Sequence, residues 1–168
     1  AIGTERSVMI RVRLQDKWGF LNHHGEVAIP FIYDSVAAFS NGFAAVSKDG
    51  EKYYINQRGE RVCDQINGFV GDYFPARLGD KWGYVDRLGS IKIDFQFDNA
   101  DLFFNGIALV HSNNEKFAIN CLGQLFEFHE DVACVNCSGK WGYVAVNKGH
   151  LKVLTDFCFD DESHFENE

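Results

Sequence analysis

Short apolar runs separated by polar turn residues follow one another along the whole chain. Each of five such runs precedes a few polar or small residues, then an aromatic run, an (Asn/Asp)-x-x-Gly segment and a further short run. Short runs joined by turns of a few residues are typical of antiparallel strands. The pattern therefore predicts a three-stranded antiparallel meander in each unit. The five leading runs are Val12-Arg13-Leu14, Ala44-Ala45-Val46, Ala76-Arg77-Leu78, Ala108-Leu109-Val110 and Ala133-Cys134-Val135.

The aromatic run contains a repeated word, Lys-Trp-Gly followed by Phe or Tyr. It includes all three tryptophans, in the pairs Trp18-Gly19, Trp82-Gly83 and Trp141-Gly142. Degenerate copies lie midway between them, with Lys52-Tyr53 and Lys116-Phe117 in place of Trp-Gly. A word repeated in register indicates repeat architecture. We expect units of alternating strong and weak pattern over residues 8–42, 43–75, 76–106, 107–132 and 133–168, with residues 1–7 a leader or vector-derived remnant.

A further word connects the units and contains an aspartate and a phenylalanine. The aspartates are Asp34, Asp98 and Asp160, and the phenylalanines are Phe39, Phe103 and Phe165. The aspartate suits a turn or a helical N-cap, because its carboxylate can accept free backbone N–H groups. We expect the phenylalanine ring to pack under the connection. The chain stops where another strand should begin, which predicts either a cap or a fragment of a longer array.

These words resemble the WG-repeat family, also called KWG repeats, which is common in bacterial genomes. The resemblance rests on Lys-Trp-Gly-(Phe/Tyr), the (Asn/Asp)-x-x-Gly turn and the Asp-containing connection, and it covers roughly residues 8–167. It implies an all-β tandem array of about five three-stranded antiparallel repeats that acts as an interaction scaffold and has no known catalytic residues. We expect a curved or superhelical array in which neighbouring units bury each other's aromatic faces. A closed, propeller-like ring is the alternative.

The net charge, the hydropathy and the cysteine count of the chain restrict the classes of function that it can have. The 168 residues carry a formal net charge of −8, which argues against nucleic-acid binding, because phosphates require clustered Lys and Arg. No apolar run approaches the ~20 residues of a membrane-spanning helix. Five cysteines are an odd number for a disulfide scaffold. Reduced thiols in a cytoplasm are therefore favoured over one or two disulfides in an exported protein.

Candidate metal and catalytic residues are few. Cys134-x-x-Cys137 is a weak zinc candidate, because a structural site needs two further ligands at suitable spacing. Cys121, His129, Cys158 or His164 could supply them only if the fold brought them together. Nucleophile elbows, P-loops and HExxH motifs are absent from the sequence. We therefore expect no metal, no cofactor and no enzymatic activity.

Three functional hypotheses remain open. The first is a protein-interaction module that uses variable turns on one rim, namely His23-His24, Gln57-Arg58 and Arg87-Leu88. The second is an acidic neutraliser of a basic partner protein, suggested by the acidic residues near the C-terminal end. The third is an envelope or secreted domain that binds glycan or peptide through exposed aromatic residues, for example by stacking on the tryptophans. Repetition of the Trp-Gly pairs favours a structural role for them, in which the indole covers a hairpin and the glycine allows close approach.

Overall fold

The computed structural model describes residues 8–157 and 159–160, and within these ranges the chain forms strands and turns without a helix. Its strands form five small antiparallel sheets that follow one another in chain order. The predicted all-β tandem array is therefore confirmed.

The five sheets, numbered in chain order, contain three or four strands each. Sheet 1 consists of β1 (Ile10–Leu14), β2 (Lys17–Leu21) and β3 (Val27–Tyr33). Sheet 2 consists of β4 (Ser35–Val36), β5 (Phe43–Lys48), β6 (Glu51–Asn56) and β7 (Arg61–Cys63). Sheet 3 consists of β8 (Gln65–Ile66), β9 (Tyr73–Leu78), β10 (Lys81–Asp86) and β11 (Ile91–Phe97). Sheet 4 consists of β12 (Asn99–Ala100), β13 (Ile107–Ser112), β14 (Glu115–Asn120) and β15 (Leu125–Glu127). Sheet 5 consists of β16 (Val132–Cys137), β17 (Lys140–Asn147) and β18 (His150–Val153).

The fourth strand of sheets 2, 3 and 4 comes from the connection between units. In sheet 2, the connection pairs with β5, and the backbone N–H of Asp34 donates to the carbonyl of Ser47 at 2.9 Å. The N–H of Ala37 likewise donates to Ala45 at 2.8 Å. The helical N-cap predicted as one alternative for Asp34 and Asp98 is therefore wrong, because the residues that follow them pair with the next meander as strands.

Two-residue hairpins fix the register of the meanders. At Asp49-Gly50 both turn residues have positive φ, 52° and 82°, which is the type I′ geometry that matches the strand twist. Leu14 and Leu78 occupy the last pair before the turn, as Lys48 does. The predicted alignment of the runs ending at Leu14 and Leu78 with Ala44-Ala45-Val46 is thus wrong by two residues, because hairpin position, and not local composition, sets the register.

Buried hydrophobic clusters lie between consecutive sheets and alternate in kind. Those between sheets 1 and 2 and between sheets 3 and 4 have members at corresponding positions, as expected if the structural repeat is a pair of units. The corresponding residues include Phe20 and Tyr84, Ile29 and Ile93, Ala44 and Ala108, Val46 and Val110, and Ile55 and Ile119. The cluster between sheets 2 and 3 and the cluster between sheets 4 and 5 consist of residues at other positions of the units than those in the first two clusters. None of these clusters of described residues joins sheet 1 to sheet 5, which favours the open array over the ring.

The fifth meander is inserted in the reverse direction. Lys116 at the start of β14 contacts Asp131, and the Asn120 side chain at its end donates to the carbonyl of Asn136 at 2.9 Å. The strands β14 and β16 therefore run the same way. In sheet 3 it is the second strand, β10, that runs with β6 of sheet 2, since the Asn56 amide donates to Gly89 just after β10. The reversal follows from the shortened connection, where the left-handed pair at residues 130–131 leads straight into β16.

Candidate functional site

The glycine of each Trp-Gly pair lies where another part of the same unit passes close to it. A Cβ atom on Gly19 would lie 2.6 Å from the carbonyl oxygen of Ile29. The register explains this contact, because β3 bulges between the partners of Trp18 and Phe20. The backbone of Ile93 and Asp94 passes Gly83 in the same way. At Gly142 the neighbour is the ring of Phe157, whose Cδ1 would lie 2.7 Å from the added atom.

The tryptophans form part of the packing around the buried clusters. Trp18 and Trp82 are half-buried against the clusters between sheets 1 and 2 and between sheets 3 and 4. Trp141 packs edge-on against Phe126, with ring centroids 5.9 Å apart. These positions support the structural interpretation of the pairs, because each indole contacts the protein instead of standing free as a stacking platform.

The two weak units have an aromatic residue where the strong units have the glycine of the Trp-Gly pair. Tyr53 and Phe117, at the glycine position, pack against the same two clusters. The third strands of these units, β7 and β15, have three residues each and lack the long bulged segment that passes Gly19 and Gly83. A side chain is therefore tolerated at the glycine position wherever the third strand is short.

The aspartates of the connection link neighbouring units. One carboxylate oxygen of Asp34 bonds the Lys17 ammonium, and the other accepts the N–H of Asp49 in the next hairpin at 2.9 Å. Asp98 bonds Lys81 at 2.6 Å and accepts the N–H of residue 113 at 2.8 Å. The lysine bond, followed by the backbone donor, lowers the pKa of both carboxyl groups. Asp160 bonds Lys140 in the corresponding way.

Asp64 has the same role, although the sequence analysis missed it. It accepts the N–H of Gly79 at 2.9 Å and pairs with Arg61, which replaces the lysine of the strong units. Burial raises the pKa of Asp64, but the Gly79 N–H and the Arg61 guanidinium together lower it by more than burial raises it. The net shift of the pKa is therefore downward. Its place at the end of the third strand was the available signal, but the aromatic residue that precedes Asp34 and Asp98 is a cysteine here.

Two of the three connection phenylalanines, Phe39 and Phe103, pack on an aromatic residue of the strand that carries the Trp-Gly pair. The ring of Phe39 meets Phe20 edge-on with centroids 4.8 Å apart, and Phe103 meets Tyr84 at 4.7 Å. The hydroxyl of Tyr84, which is fully buried, donates to the carbonyl of Asp101 in the connection at 2.6 Å. Phe165 lies outside the described residues.

The (Asn/Asp)-x-x-Gly segments form one recurrent Asx turn. In each of sheets 1 to 4, the side-chain oxygen of the first residue accepts the backbone N–H groups two and four residues later, at 2.9 to 3.1 Å. We call this set of turns, residues 22–25, 56–59, 86–89 and 120–123, the Asx-turn rim. Its two tip residues vary from unit to unit: His23-His24, Gln57-Arg58, Arg87-Leu88 and Cys121-Leu122.

Neighbouring turns of the rim pack on each other in sheets 2 and 3. The buried amide of Asn56 donates both to Glu60 in its own turn and to the carbonyl of Gly89 in the next, at 3.0 and 3.3 Å. Gly42 lies against the backbone of Arg87. The rim is thus a continuous and hydrogen-bonded surface here, whereas its tips project outward: Leu88 is 78% exposed and Leu122 is 82% exposed.

The two cysteines of the C-x-x-C motif do not converge. They lie in β16, where successive side chains alternate between faces, so residues three apart point to opposite sides. The described part of the chain contains no cluster of three or more His, Cys, Asp or Glu side chains able to hold a metal ion. Cys137 instead lies near Cys121 of sheet 4, since both thiols contact the carbonyl oxygen of Gly106. Cys158 and His164 lie outside the described residues, as do all the acidic residues that follow Asp160.

Comparison with known protein families identifies WG-containing repeats in two parts of the chain. The family model for WG-containing repeats matches residues 18–53 and 82–116. Both matches begin at the tryptophan of a strong unit and run through the connection into the second strand of the following weak unit. These two segments of the chain are therefore WG-containing repeats. Comparison with curated proteins and with solved structures gives no match. None of the described residues belongs to a helix long and apolar enough to span a membrane.

Proposed function

We propose that this chain, with its WG-containing repeats, is a non-catalytic protein-interaction module that contacts its partner through the Asx-turn rim. The observation that carries the proposal is the contrast between the conserved geometry of the Asx turns, which we call the frame, and their two variable tip residues. The frame is the same hydrogen-bonded turn in four units, whereas the eight tip residues differ in charge, size and polarity. A rigid frame with variable exposed positions is typical of repeat proteins that bind other proteins.

Two exposed leucines strengthen this proposal. Leu88 and Leu122 occupy the same tip position in sheets 3 and 4, and their exposed fractions are the highest among the exposed large hydrophobic residues of the described chain. Nothing in the turn requires a leucine, because His24 and Arg58 occupy this position in sheets 1 and 2. Exposed apolar side chains on an ordered surface offer the partner area that gains free energy on burial.

The other hypotheses receive less support from the site. Stacking of glycans or peptides on the tryptophans would require free indole faces, whereas Trp18 and Trp82 pack on buried clusters. The acidic-neutraliser hypothesis rests on the net charge of −8 and on a segment mostly outside the described residues. A groove of about 690 Å³ between sheets 3, 4 and 5 has Asp101 and His150 as its ionisable side chains and a mainly apolar lining, which fits a contact surface better than acid–base chemistry.

The test is affinity capture from a lysate of the source organism with three versions of the chain. One is unchanged, one carries Leu88→Ser with Leu122→Ser, and the control carries Leu14→Ser with Leu78→Ser. The control leucines are also exposed, 54% and 40%, but they adjoin the hairpins at the opposite ends of the strands. We expect a partner that the unchanged chain and the control retain and the rim variant loses.

The salt dependence of capture separates the interaction hypotheses. A partner held through the rim leucines should persist at high salt, because apolar contacts are not screened. A basic partner that both variants retain at low salt and release at high salt would instead favour the acidic neutraliser. Equal capture by both variants at every salt concentration would refute the role of the rim.

A further inference from the structure

Two thiols from different sheets meet at one backbone carbonyl. The Sγ of Cys121, in the Asx turn of sheet 4, lies 3.6 Å from the carbonyl oxygen of Gly106. The Sγ of Cys137, at the end of β16 in sheet 5, lies 3.9 Å from the same oxygen and 3.8 Å from the carbonyl oxygen of Asn105. The separation of the two sulfurs therefore cannot exceed the sum of their distances to this oxygen, and rotation about χ1 changes the separation of two cysteine sulfurs by several ångströms.

The reversal of sheet 5 creates this proximity. Between sheets 2 and 3, Gly42 lies against the Asx-turn residue Arg87. Between sheets 4 and 5, the equivalent Gly106 lies against Cys137, and a Cβ on this glycine would be 2.7 Å from the sulfur. The hairpin that follows β16 also has the form Asn-x-x-Gly, with the N–H of Gly139 donating to the side chain of Asn136 at 3.1 Å. A hairpin of the reversed meander thus occupies the place of an Asx turn and puts a cysteine where the other junction has an arginine.

The second cysteine belongs to the facing turn. Cys121 holds the tip position that is Gln57 in sheet 2, so Cys121 and Cys137 correspond to Gln57 and Arg87 of the earlier junction. Both thiols are free, and Cys121 is solvent-exposed while Cys137 is half-buried. Cys134, the nearest cysteine in sequence, points to the opposite face of β16. The fold therefore selects Cys121, and not the C-x-x-C neighbour, as the partner of Cys137.

We propose that Cys121 and Cys137 are a disulfide-forming pair that fastens sheet 5 to sheet 4 when the chain meets a disulfide oxidant of the glutathione class. The thiolate of one cysteine attacks a sulfur of oxidised glutathione, forms a mixed disulfide and releases one glutathione thiolate. The thiolate of the other cysteine then attacks the protein sulfur of that mixed disulfide and releases the second glutathione. One S–S bond forms in the protein and one breaks in the oxidant, whose two sulfurs take up the two electrons and the two thiol protons.

The cross-link has a defined structural consequence. The connection before sheet 5 lacks the two-residue strand that joins the earlier units, so the disulfide supplies a covalent link at the junction where that pairing is missing. It also holds the backbone next to Leu122, a tip residue of the Asx-turn rim. Formation of the bond does not depend on the proposed interaction function, and the experiment below detects it without a partner.

Peptide mapping of the full chain tests the proposal. The reduced protein is incubated at low concentration with oxidised glutathione, remaining thiols are alkylated, and the chain is cleaved after glutamate without reduction. Cleavage at Glu127 and Glu130 places Cys121 and Cys137 on different peptides, whereas trypsin would leave both between Lys116 and Lys140. We expect a linked pair of peptides whose combined mass has lost two hydrogen atoms. A second cleavage with trypsin and fragment sequencing then assign the bond to Cys137 instead of Cys134.

Variants make the assignment independent of the mass map. Cys121→Ser and Cys137→Ser should each abolish the link, and the matched control Cys134→Ser should retain it. Burial, together with the nearby Cys137 and Asp72, raises the pKa of the Cys121 thiol, so the incubation is run at about pH 8.5 to supply thiolate. A single cysteine that stops as a glutathione adduct, a bond from Cys121 to Cys134, or bonds found only between chains would overturn the proposal. If a variant fails to fold, the map of the unchanged chain decides alone.

Discussion

The tight packing of neighbouring Asx turns can be tested with two glycines that occupy the same turn position and have similar φ angles but differ in their surroundings. Gly25 and Gly89 end the Asx turns of sheets 1 and 3, with φ of 77° and 81°. A Cβ on Gly25 would meet nothing within 4 Å. On Gly89 it would lie 2.5 Å from the Cβ of Asn56 and 3.2 Å from the carbonyl oxygen of Gly42. The pair therefore separates backbone strain from contact between units.

The expected cost of each substitution follows from these surroundings. An alanine in the left-handed region costs about 1–2 kcal/mol, and the reduced freedom of the unfolded chain offsets part of it. Gly25→Ala should therefore lower the free energy of unfolding by about 1 kcal/mol. Gly89→Ala carries the same cost and also forces the turns apart. Overpacking of this kind adds about 1–3 kcal/mol, because the buried Asn56 is held by its own hydrogen bonds and cannot move aside.

The assay is guanidinium unfolding followed by tryptophan fluorescence and by circular dichroism. The two variants should show similar slopes against denaturant and different midpoints, with Gly89→Ala clearly the lower. The fluorescence signal sums three tryptophans and includes Trp82, which lies in the same sheet as Gly89. It should therefore report the loss together with the backbone signal, unless the array unfolds in parts. Equal midpoints for the two variants would show that the turns of sheets 2 and 3 do not press on each other, and the account of a continuous rim would be refuted.

Further predictions concern a buried hydroxyl and the linking aspartates. Tyr84→Phe should cost about 1 kcal/mol in thermal or chemical unfolding, because the carbonyl of Asp101 loses its donor, and an unchanged stability would contradict the hydrogen bond. The pKa of Asp34 and of Asp98 is lowered in the folded chain, so their contribution is present above the unfolded pKa of about 4 and is lost as the pH falls through the folded values. A chain carrying Asp34→Asn with Asp98→Asn should therefore lose less stability between about pH 5 and pH 2 than the unchanged chain, and parallel pH curves would contradict this role.

Much of the fold could be predicted from the sequence because its determinants are local. The Asx turns, the left-handed hairpins and the Trp-Gly pairs each depend on a few adjacent residues, and repetition displays them several times. The role of Gly19 and Gly83 was accessible for the same reason, since only glycine leaves room for a close backbone. Similarity of short apolar runs gave the wrong register at Leu14 and Leu78, because the position of the hairpin determines the register there.

Features that depend on the relation between units were not accessible from the sequence. The short connection before sheet 5 was visible, but its effect on the direction of β16 depends on packing against β14. The proximity of Cys121 to Cys137 follows from this reversal, so spacing along the chain could indicate Cys134 as a neighbour of Cys137 but not Cys121. The fourth strands were missed because two residues carry too little pattern to identify a strand, and their pairing partners lie in the next unit.

The alternation of the two kinds of buried cluster restricts how such an array can change length. A strong unit presents one face to the weak unit after it and a different face to the weak unit before it. Removing one unit would bring together two faces that do not meet in the structure, whereas removing sheets 2 and 3 together would place sheet 1 against sheet 4 and form a junction of the kind already present between sheets 1 and 2 and between sheets 3 and 4. We therefore expect viable insertions and deletions to comprise pairs of units, which makes the pair of meanders, and not the single Trp-Gly repeat, the smallest piece in which this architecture can grow.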